Sequence, residues 1–367
     1  MDLTAHSLDL TLTTPFRISR SVQTHAHNVQ TQIDADGVEG IGEAAPSAYY
    51  GERRETVFMA LSDFAEQIDY DPALINDIVE FMDKRLRANA SAKASVDMAL
   101  YDLLGKRLGV PVYQLLGLNP ERTPVTSFTI GIDEPEEMAR KAAEAAKTYP
   151  ILKIKLGAPN DLAIVRAIRK ATDATLRVDA NAAWSPKQAI KTIRELEPYN
   201  IEFVEQPLPS TDIDGLRFVR EHSDLPIIAD ESCITEADIP RLAGAVDGIN
   251  IKLMKCGGIH HALRMIAVAR AHHLKVMLGC MIESSLAITA AAHISPLVDY
   301  ADLDGHLLIN DDPFEGVKVE QGKLVLPKRT GLGVRRRDQE AKRQALAAAS
   351  SGRIPRAPTH TPDDEEE

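Results

Sequence analysis

Lys153-Ile154-Lys155 is followed by Asp179, Glu205, Asp230 and Lys252 at intervals of 24, 26, 25 and 22 residues. Each interval is the length of one strand–loop–helix unit. Residues repeated at that distance fall at similar heights on successive strands of a β/α barrel, whose active sites gather at the C-terminal strand ends. Each acid also closes an apolar run, as in Leu176-Arg177-Val178-Asp179 and Ile227-Ile228-Ala229-Asp230. A lone carboxylate there would be costly to desolvate. A shared divalent cation removes that cost, and three hard oxygen ligands with room for water or substrate suit one Mg²⁺. Asp179, Glu205 and Asp230 are therefore the expected metal ligands. Acids after strands also cap following helices, a reading that weakens when three recur at one interval.

The lysines add a reaction. Lys153 and Lys155, two apart on one strand, point the same way. Like charges side by side lower one ammonium pKa towards use as a base. Lys252 closes the sixth expected strand, which faces the second across an eight-stranded ring. Lys155 and Lys252 are thus the expected catalytic pair, addressing opposite faces of a substrate. Lys255, three residues on, is a weaker candidate. With a substrate carboxylate on the metal, one lysine removes the α-proton and leaves a metal-stabilised enediolate. The other returns a proton to the opposite face, which inverts the stereocentre.

These residues need a barrel to carry them. Apolar or β-prone runs occur at 125–130, 151–156, 174–178, 201–204, 226–229, 248–251, 275–278 and 298–302. Helical stretches alternate with them, such as 135–147, 161–171 and 186–197, and the seventh helix starts near Ser284. Eight strands alternating with helices predict a parallel barrel. Residue 304 opens a turn-rich stretch with no clear eighth helix, and 310–326 reads as a short hairpin segment. Before the barrel, 3–13 and 28–34 alternate in polarity, and Asp36-Gly37 marks a hairpin turn into 38–43. Helical patterns follow at 56–67, 77–87 and 92–108, the last with a broad face of small and apolar residues. The expected organisation is an α+β cap over 1–120, completed by about 310–334, on a barrel over 121–309. Residues 335–367, with Arg335-Arg336-Arg337, three later prolines and an acidic end, read as a disordered tail.

The chain has 367 residues, 44% of them hydrophobic, and a net charge of −12. Residues 1–12 lack the cationic start of a signal peptide, and no run of ~18 apolar residues occurs, so no membrane span is expected. The acidic balance argues against nucleic acid as a partner. Cys233, Cys256 and Cys280 are odd in number and widely spaced, which argues against a disulfide framework or zinc knuckle and for a cytoplasmic location. Oligomeric state, including a homo-oligomer, is left open.

Lys153-Ile154-Lys155, Asp179-Ala180-Asn181-Ala182-Ala183-Trp184, Val204-Glu205-Gln206-Pro207, Ala229-Asp230-Glu231-Ser232, the run from Asn250 to Gly258, and Asp97-Met98-Ala99-Leu100-Tyr101-Asp102 together resemble the muconate lactonizing enzyme subgroup of the enolase superfamily. The resemblance spans about residues 3–334. It implies an α/β fold, a modified TIM barrel of (β/α)7β form with an α+β capping domain, and one essential Mg²⁺. Asp302-Leu303-Asp304 looks like the Asp-x-Asp motif of dipeptide epimerases, which binds the free α-ammonium of the substrate. Two carboxylates for one cation, apart from the metal that takes the carboxylate end, is the physical reason.

By the same resemblance, Thr129 and Cys280 lie beside the substrate backbone, and Lys153 joins the substrate-facing set. Residues 15–22 and 47–52 match the two lid loops, and Arg20 falls near an arginine that receives an acidic substrate side chain. Tyr49 and Tyr50 in the second loop favour an apolar or aromatic side chain instead. The implied activity is an isomerase epimerising the C-terminal residue of a small-molecule dipeptide. The alternatives are an o-succinylbenzoate synthase, N-acylamino acid racemase or cycloisomerase, whose substrates give Asp302 and Asp304 no ammonium to bind. A non-catalytic, metal-dependent ligand-binding barrel is the remaining reading, against which stand both lysines and all three acids.

Overall fold

The computed structural model describes residues 1–337. The chain opens with an antiparallel sheet of β1 (Asp2–Ile18), β2 (Ser21–Ala35) and β3 (Val38–Ala44). Asp36 and Gly37 take φ of 52° and 77° between the paired residues Ala35 and Val38, the left-handed pair that a tight two-residue hairpin needs. Helices Arg54–Gln67, Ile75–Arg85 and Ala90–Leu108 follow. Every residue of the last from Ser91 to Leu103 is buried. Its small residues let β3 approach closely, and glycine is required on the facing strand. A Cβ at Gly40 or Gly42 would run into the carbonyl oxygens of Ala99 or Ser95.

Two aspartates of this helix tie the cap to the rest. Asp97 accepts the backbone N–H groups of Ile259 and His260, the unpaired donors at the start of the helix Ile259–Ala271. Asp102 accepts the N–H groups of Ile41 at 3.0 Å and Leu332 at 2.7 Å. The sequence motif is thus a structural clamp between the sheet, a barrel helix and the C-terminal segment.

The barrel comprises β4 (Phe128–Ile130), β5 (Ile151–Lys155), β6 (Thr175–Asp179), β7 (Ile201–Glu205), β8 (Ile227–Ala229), β9 (Gly248–Lys252), β10 (Lys275–Gly279) and β11 (Tyr300–Asp302), parallel and in sequential order. A bridge between Thr126 and Ala301 and a 3.1 Å bond from Ser127 N–H to the Ala301 carbonyl bring its two edges together. At least one helix follows each strand from β4 to β10, whereas only a short 3₁₀ turn, Gly305–Leu307, follows β11. The architecture is therefore (β/α)7β. The first strand is shorter than the run 125–130, because Thr126 and Ser127 bond Gly322 and Ala301 rather than extending the β4–β5 ladder.

Outward residues such as Leu152, Ile154, Leu176 and Val178 are fully buried under the helices. Inside, Phe203, Ile228 and Met277 form a small separate apolar cluster with Tyr300 against it. The Arg177 guanidinium sits 5.2 Å from the ring centroids of both Phe203 and Tyr300. This layer floors the barrel beneath the polar strand ends.

The chain ends with β12 (Phe314–Glu315), the hairpin of β13 (Lys318–Glu320) and β14 (Lys323–Val325), and β15 (Arg335–Arg336), which pairs with β12. Arg336 donates to Gln30 of β2 at 2.9 Å. Arg335 and Arg336 were expected in a disordered tail but form a strand, since Phe314 and Glu315 offer them an open edge. The rest of that expected tail, 338–367, lies outside the described residues.

Candidate active site

Strand register sets the heights. Lys155, Asp179 and Glu205 are lateral neighbours on β5, β6 and β7. Glu205 pairs with Ile228, so Asp230 stands two residues higher, just past the end of β8. On the other side Lys252, Gly279 and Asp302 are neighbours, and Thr129 pairs with Lys153. The even spacing is thus lateral for two acids and staggered for the third, as tilted barrel strands require.

One cavity of about 630 Å³ opens at these strand ends, and Arg20, Thr129, Lys153, Lys155, Lys252, Cys280, Asp302 and Asp304 all line it. Asp179, Glu205 and Asp230 lie beneath its lysines, each at most 1% exposed. Lys155 donates to Asp179 at 2.6 Å and Lys252 to Asp230 at 2.7 Å. Lys153 lies 2.8 Å from Glu205, 2.8 Å from Asp302 and 3.2 Å from Asp179. Lys255 does not reach the cavity. It donates to an Asp230 carboxylate oxygen and to the carbonyls of Asp230, Asn250 and Cys233, holding the loop after β8.

Burial opposes the charge of every carboxylate here, and the partners decide the outcome. Lys155 and Lys153 bring Asp179 down to about 2. Lys252 and Lys255 hold Asp230 well below the usual range. For Glu205, burial and then the neighbouring Asp179 charge prevail and push it up to about 7. Of the two lysines expected to have one ammonium depressed by the other, Lys153 is not that one. Burial works in that direction, but Asp302, Glu205 and Asp179 surround it and raise it well above the ordinary lysine value.

Among the described residues no group of three or more His, Cys, Asp or Glu stands in metal-holding geometry, because each acid is turned to a lysine. The donor set nevertheless fits a hard cation. Glu205 Oε2, Asn181 Oδ1, Asn250 Oδ1 and Glu231 Oε2 are buried acceptors without a hydrogen-bond donor. Lys153 nears the first at ion-pair distance but outside hydrogen-bonding geometry. Asn181 and Asn250 are themselves held by Asp179 and Glu205, at 3.4 and 2.8 Å. Oxygen-rich, fully buried and short of donors, this set matches the needs of Mg²⁺.

The tip of the β1–β2 ribbon reaches over the cavity. Arg20 pairs with Glu231 at 2.8 Å, donates to the Asn181 carbonyl at 3.1 Å and stacks 4.3 Å over the Tyr49 ring. The two segments expected to form the lid therefore meet on one arginine, and its charge is already answered. Cys280 directs its thiol at the Asp302 carbonyl, 3.2 Å away, and burial raises it well above the ordinary thiol value, which leaves no thiolate for nucleophilic attack.

Sequence reasoning did not single out Asn181, Asn250, Glu231, Ser127 or Arg177. Strand alternation held the signal for three of them. Ser127, Arg177 and Asn250 each stand two residues before a residue that was chosen, on the same inward face.

Residues 2–117 match the family described as "Mandelate racemase / muconate lactonizing enzyme, N-terminal domain", and 137–341 match "Enolase C-terminal domain-like". An L-Ala-D/L-Glu epimerase of Bacteroides thetaiotaomicron is 43% identical over 91% of this chain and 88% of its own. A dipeptide epimerase from Enterococcus faecalis V583, solved with Mg and L-Leu-L-Tyr, superposes with a TM-score of 0.87 at 38% identity, over 91% of this chain and 98% of that one. An N-succinyl Arg/Lys racemase from Bacillus cereus gives 0.88 at 30% identity, over 94% and 98%. With both halves matched and relatives aligned over nearly their whole length, the chain belongs to the mandelate racemase/muconate lactonizing enzyme family of the enolase superfamily.

Proposed function

We propose that this protein is a Mg²⁺-dependent dipeptide epimerase that inverts the α-carbon of the C-terminal residue, with Lys155 and Lys252 as the two proton-transfer groups. One observation carries the reading. Lysines from the second and sixth barrel strands open into a single cavity that Asp302 and Asp304, from the end of the eighth, also line. A zwitterionic substrate has its carboxylate at the lysine end and its ammonium at the aspartate end. The names of the relatives agree: a dipeptide epimerase solved with Mg and a dipeptide, and an L-Ala-D/L-Glu epimerase.

Asp179, Glu205 and Asp230 would hold the cation. When bound, Mg²⁺ would supply positive charge at the substrate carboxylate and so make the α-proton more acidic. Lys155 takes that proton from one face in its neutral form, and Lys252, as an ammonium, delivers one to the other. The roles reverse for the opposite epimer, so the pair must be left in complementary protonation states. Lys153, Thr129 and Cys280 bound the substrate backbone, and Phe16, Ile18, Val22, Met281 and Leu308 give the cavity apolar walls for side chains.

A dipeptide library in deuterated water with Mg²⁺ tests this by mass spectrometry. Epimerisation should replace the α-proton of the C-terminal residue with deuterium. Exchange confined to N-acylated amino acids would favour a racemase of the N-succinyl type, and no exchange with any substrate would overturn the enzymatic reading.

A further inference from the structure

We propose that Asn250 and Lys255 are positioning residues that make the site selective for Mg²⁺ over Ca²⁺. Each ties one oxygen of a buried acid to the barrel frame, so that the acid offers an incoming cation a single oxygen. The inference rests on the reading that Asp179, Glu205 and Asp230 hold the metal.

The three acids share one pattern. In each, one oxygen faces a lysine of the cavity. Lys155 donates to Asp179 Oδ2 at 2.6 Å, Lys153 lies 2.8 Å from Glu205 Oε2, and Lys252 donates to Asp230 Oδ2 at 2.7 Å. The second oxygen faces a donor of the frame. Asp179 Oδ1 accepts the Asn181 backbone N–H at 2.9 Å. Glu205 Oε1 accepts the Asn250 amide at 2.8 Å, and Asp230 Oδ1 accepts the Lys255 ammonium at 2.6 Å.

The two side-chain donors of the frame have little freedom. Asn250 is fully buried, and its amide packs so closely on Gly279 that a Cβ there would stand 2.6 Å from Oδ1. Lys255, also buried, donates to the Asn250 carbonyl at 2.9 Å and to those of Asp230 and Cys233 at 2.7 and 3.0 Å. The two donors are thus braced against each other. The lysines on the other oxygens line the cavity instead. A cation entering among the acids competes with those lysines, while the frame keeps its hold on the second oxygen of each acid.

Three single-oxygen ligands suit Mg²⁺, which demands a near-ideal octahedron and keeps several waters or substrate oxygens. Ca²⁺ takes roughly six to eight oxygens and readily uses both oxygens of one carboxylate. Holding back the second oxygens of Glu205 and Asp230 therefore costs Ca²⁺ more than it costs Mg²⁺.

Calorimetric titration of Mg²⁺ and, separately, of Ca²⁺ into the chelator-stripped full chain tests this on wild type, Asn250→Leu and Lys255→Met. Leucine keeps the size of the asparagine and removes the donor. Each variant should weaken Mg²⁺ binding about 10- to 100-fold, the scale of a lost outer partner of a metal ligand. Ca²⁺ binding should fall far less, so the ratio of the two Kd values should move towards Ca²⁺. Equal weakening of both ions would reduce Asn250 and Lys255 to general supports and overturn the proposal, as would unchanged Mg²⁺ affinity. Circular dichroism identifies a variant that does not fold, and the other then decides. Wild-type protein that binds no Mg²⁺ would instead sink the underlying metal reading.

Discussion

The lysines of the site are buried among carboxylates they outlive only with partners. Removing one member of such a pair leaves an uncompensated buried charge, which costs several kcal/mol. Replacement of Lys155 or Lys252 must therefore be judged on folding as well as activity. Lys155→Ala or Lys252→Ala should reduce epimerisation by about 10²-fold or more, the scale of a lost proton-transfer group. Circular dichroism should show the fold retained. Substantial epimerisation in either variant would end the two-lysine scheme. Lys255 differs in kind, since it holds four acceptors away from the cavity. Lys255→Met should lower stability by a few kcal/mol, visible as a lower Tm.

At the level of elements, the strand ends are bent to aim their side chains. Asn181 and Ala182 after β6 have φ of 45° and 64°, and Gln206 after β7 has 33°. Residues other than glycine rarely adopt this region, and such strain gathers at functional sites. Here it is over-determined by backbone bonds: Ala182 N–H to the Gln206 carbonyl at 2.8 Å, and Gln206 N–H to that of Ile228 at 2.8 Å. The tip of the β1–β2 ribbon is fixed by side chains instead. Arg20 bridges Glu231, Asn181 and Tyr49, so an acidic substrate side chain must compete with Glu231 for it. Arg20→Met should lower kcat/KM for acidic dipeptides more than for apolar ones. Equal losses across both classes would leave Arg20 only as a lid latch.

For the whole molecule, the cap and barrel are joined through buried acids, and this makes stability depend on pH. Burial pushes Asp97 up to about 7 despite the two N–H groups it accepts. Because the folded pKa is raised, its contribution is fully present below the unfolded value of about 3.9 and is lost as pH rises through about 7. Asp97→Asn, which cannot ionise, should flatten this loss, so the Tm difference between wild type and variant should shift in favour of the variant from pH 5 to pH 8. A pH-independent difference would show that Asp97 stays ionised. Mg²⁺ binding to the folded state alone should raise Tm with concentration. Asp179→Ala should remove that rise, a readout independent of turnover.

The (β/α)7β barrel and the inward residues were legible in the sequence, because strand alternation and a repeat of about 25 residues leave few ways to bury apolar faces. Lys155, Lys252 and the three acids could be chosen from that pattern because each closes an apolar run, whereas Asp302 and Asp304 were chosen from the family resemblance. The partners could not. The Asp230 stagger comes from barrel tilt, and Arg335–Arg336 became a strand because β12 offered an edge far away in sequence. Arg20 meets Glu231 only when the cap is laid over the barrel. Lys153 keeps its proton because Asp302, 149 residues away, closes around it. Periodicity along the chain fixes which residues face inward. Only the closed barrel, where desolvation makes every neighbour count, decides which charges answer one another.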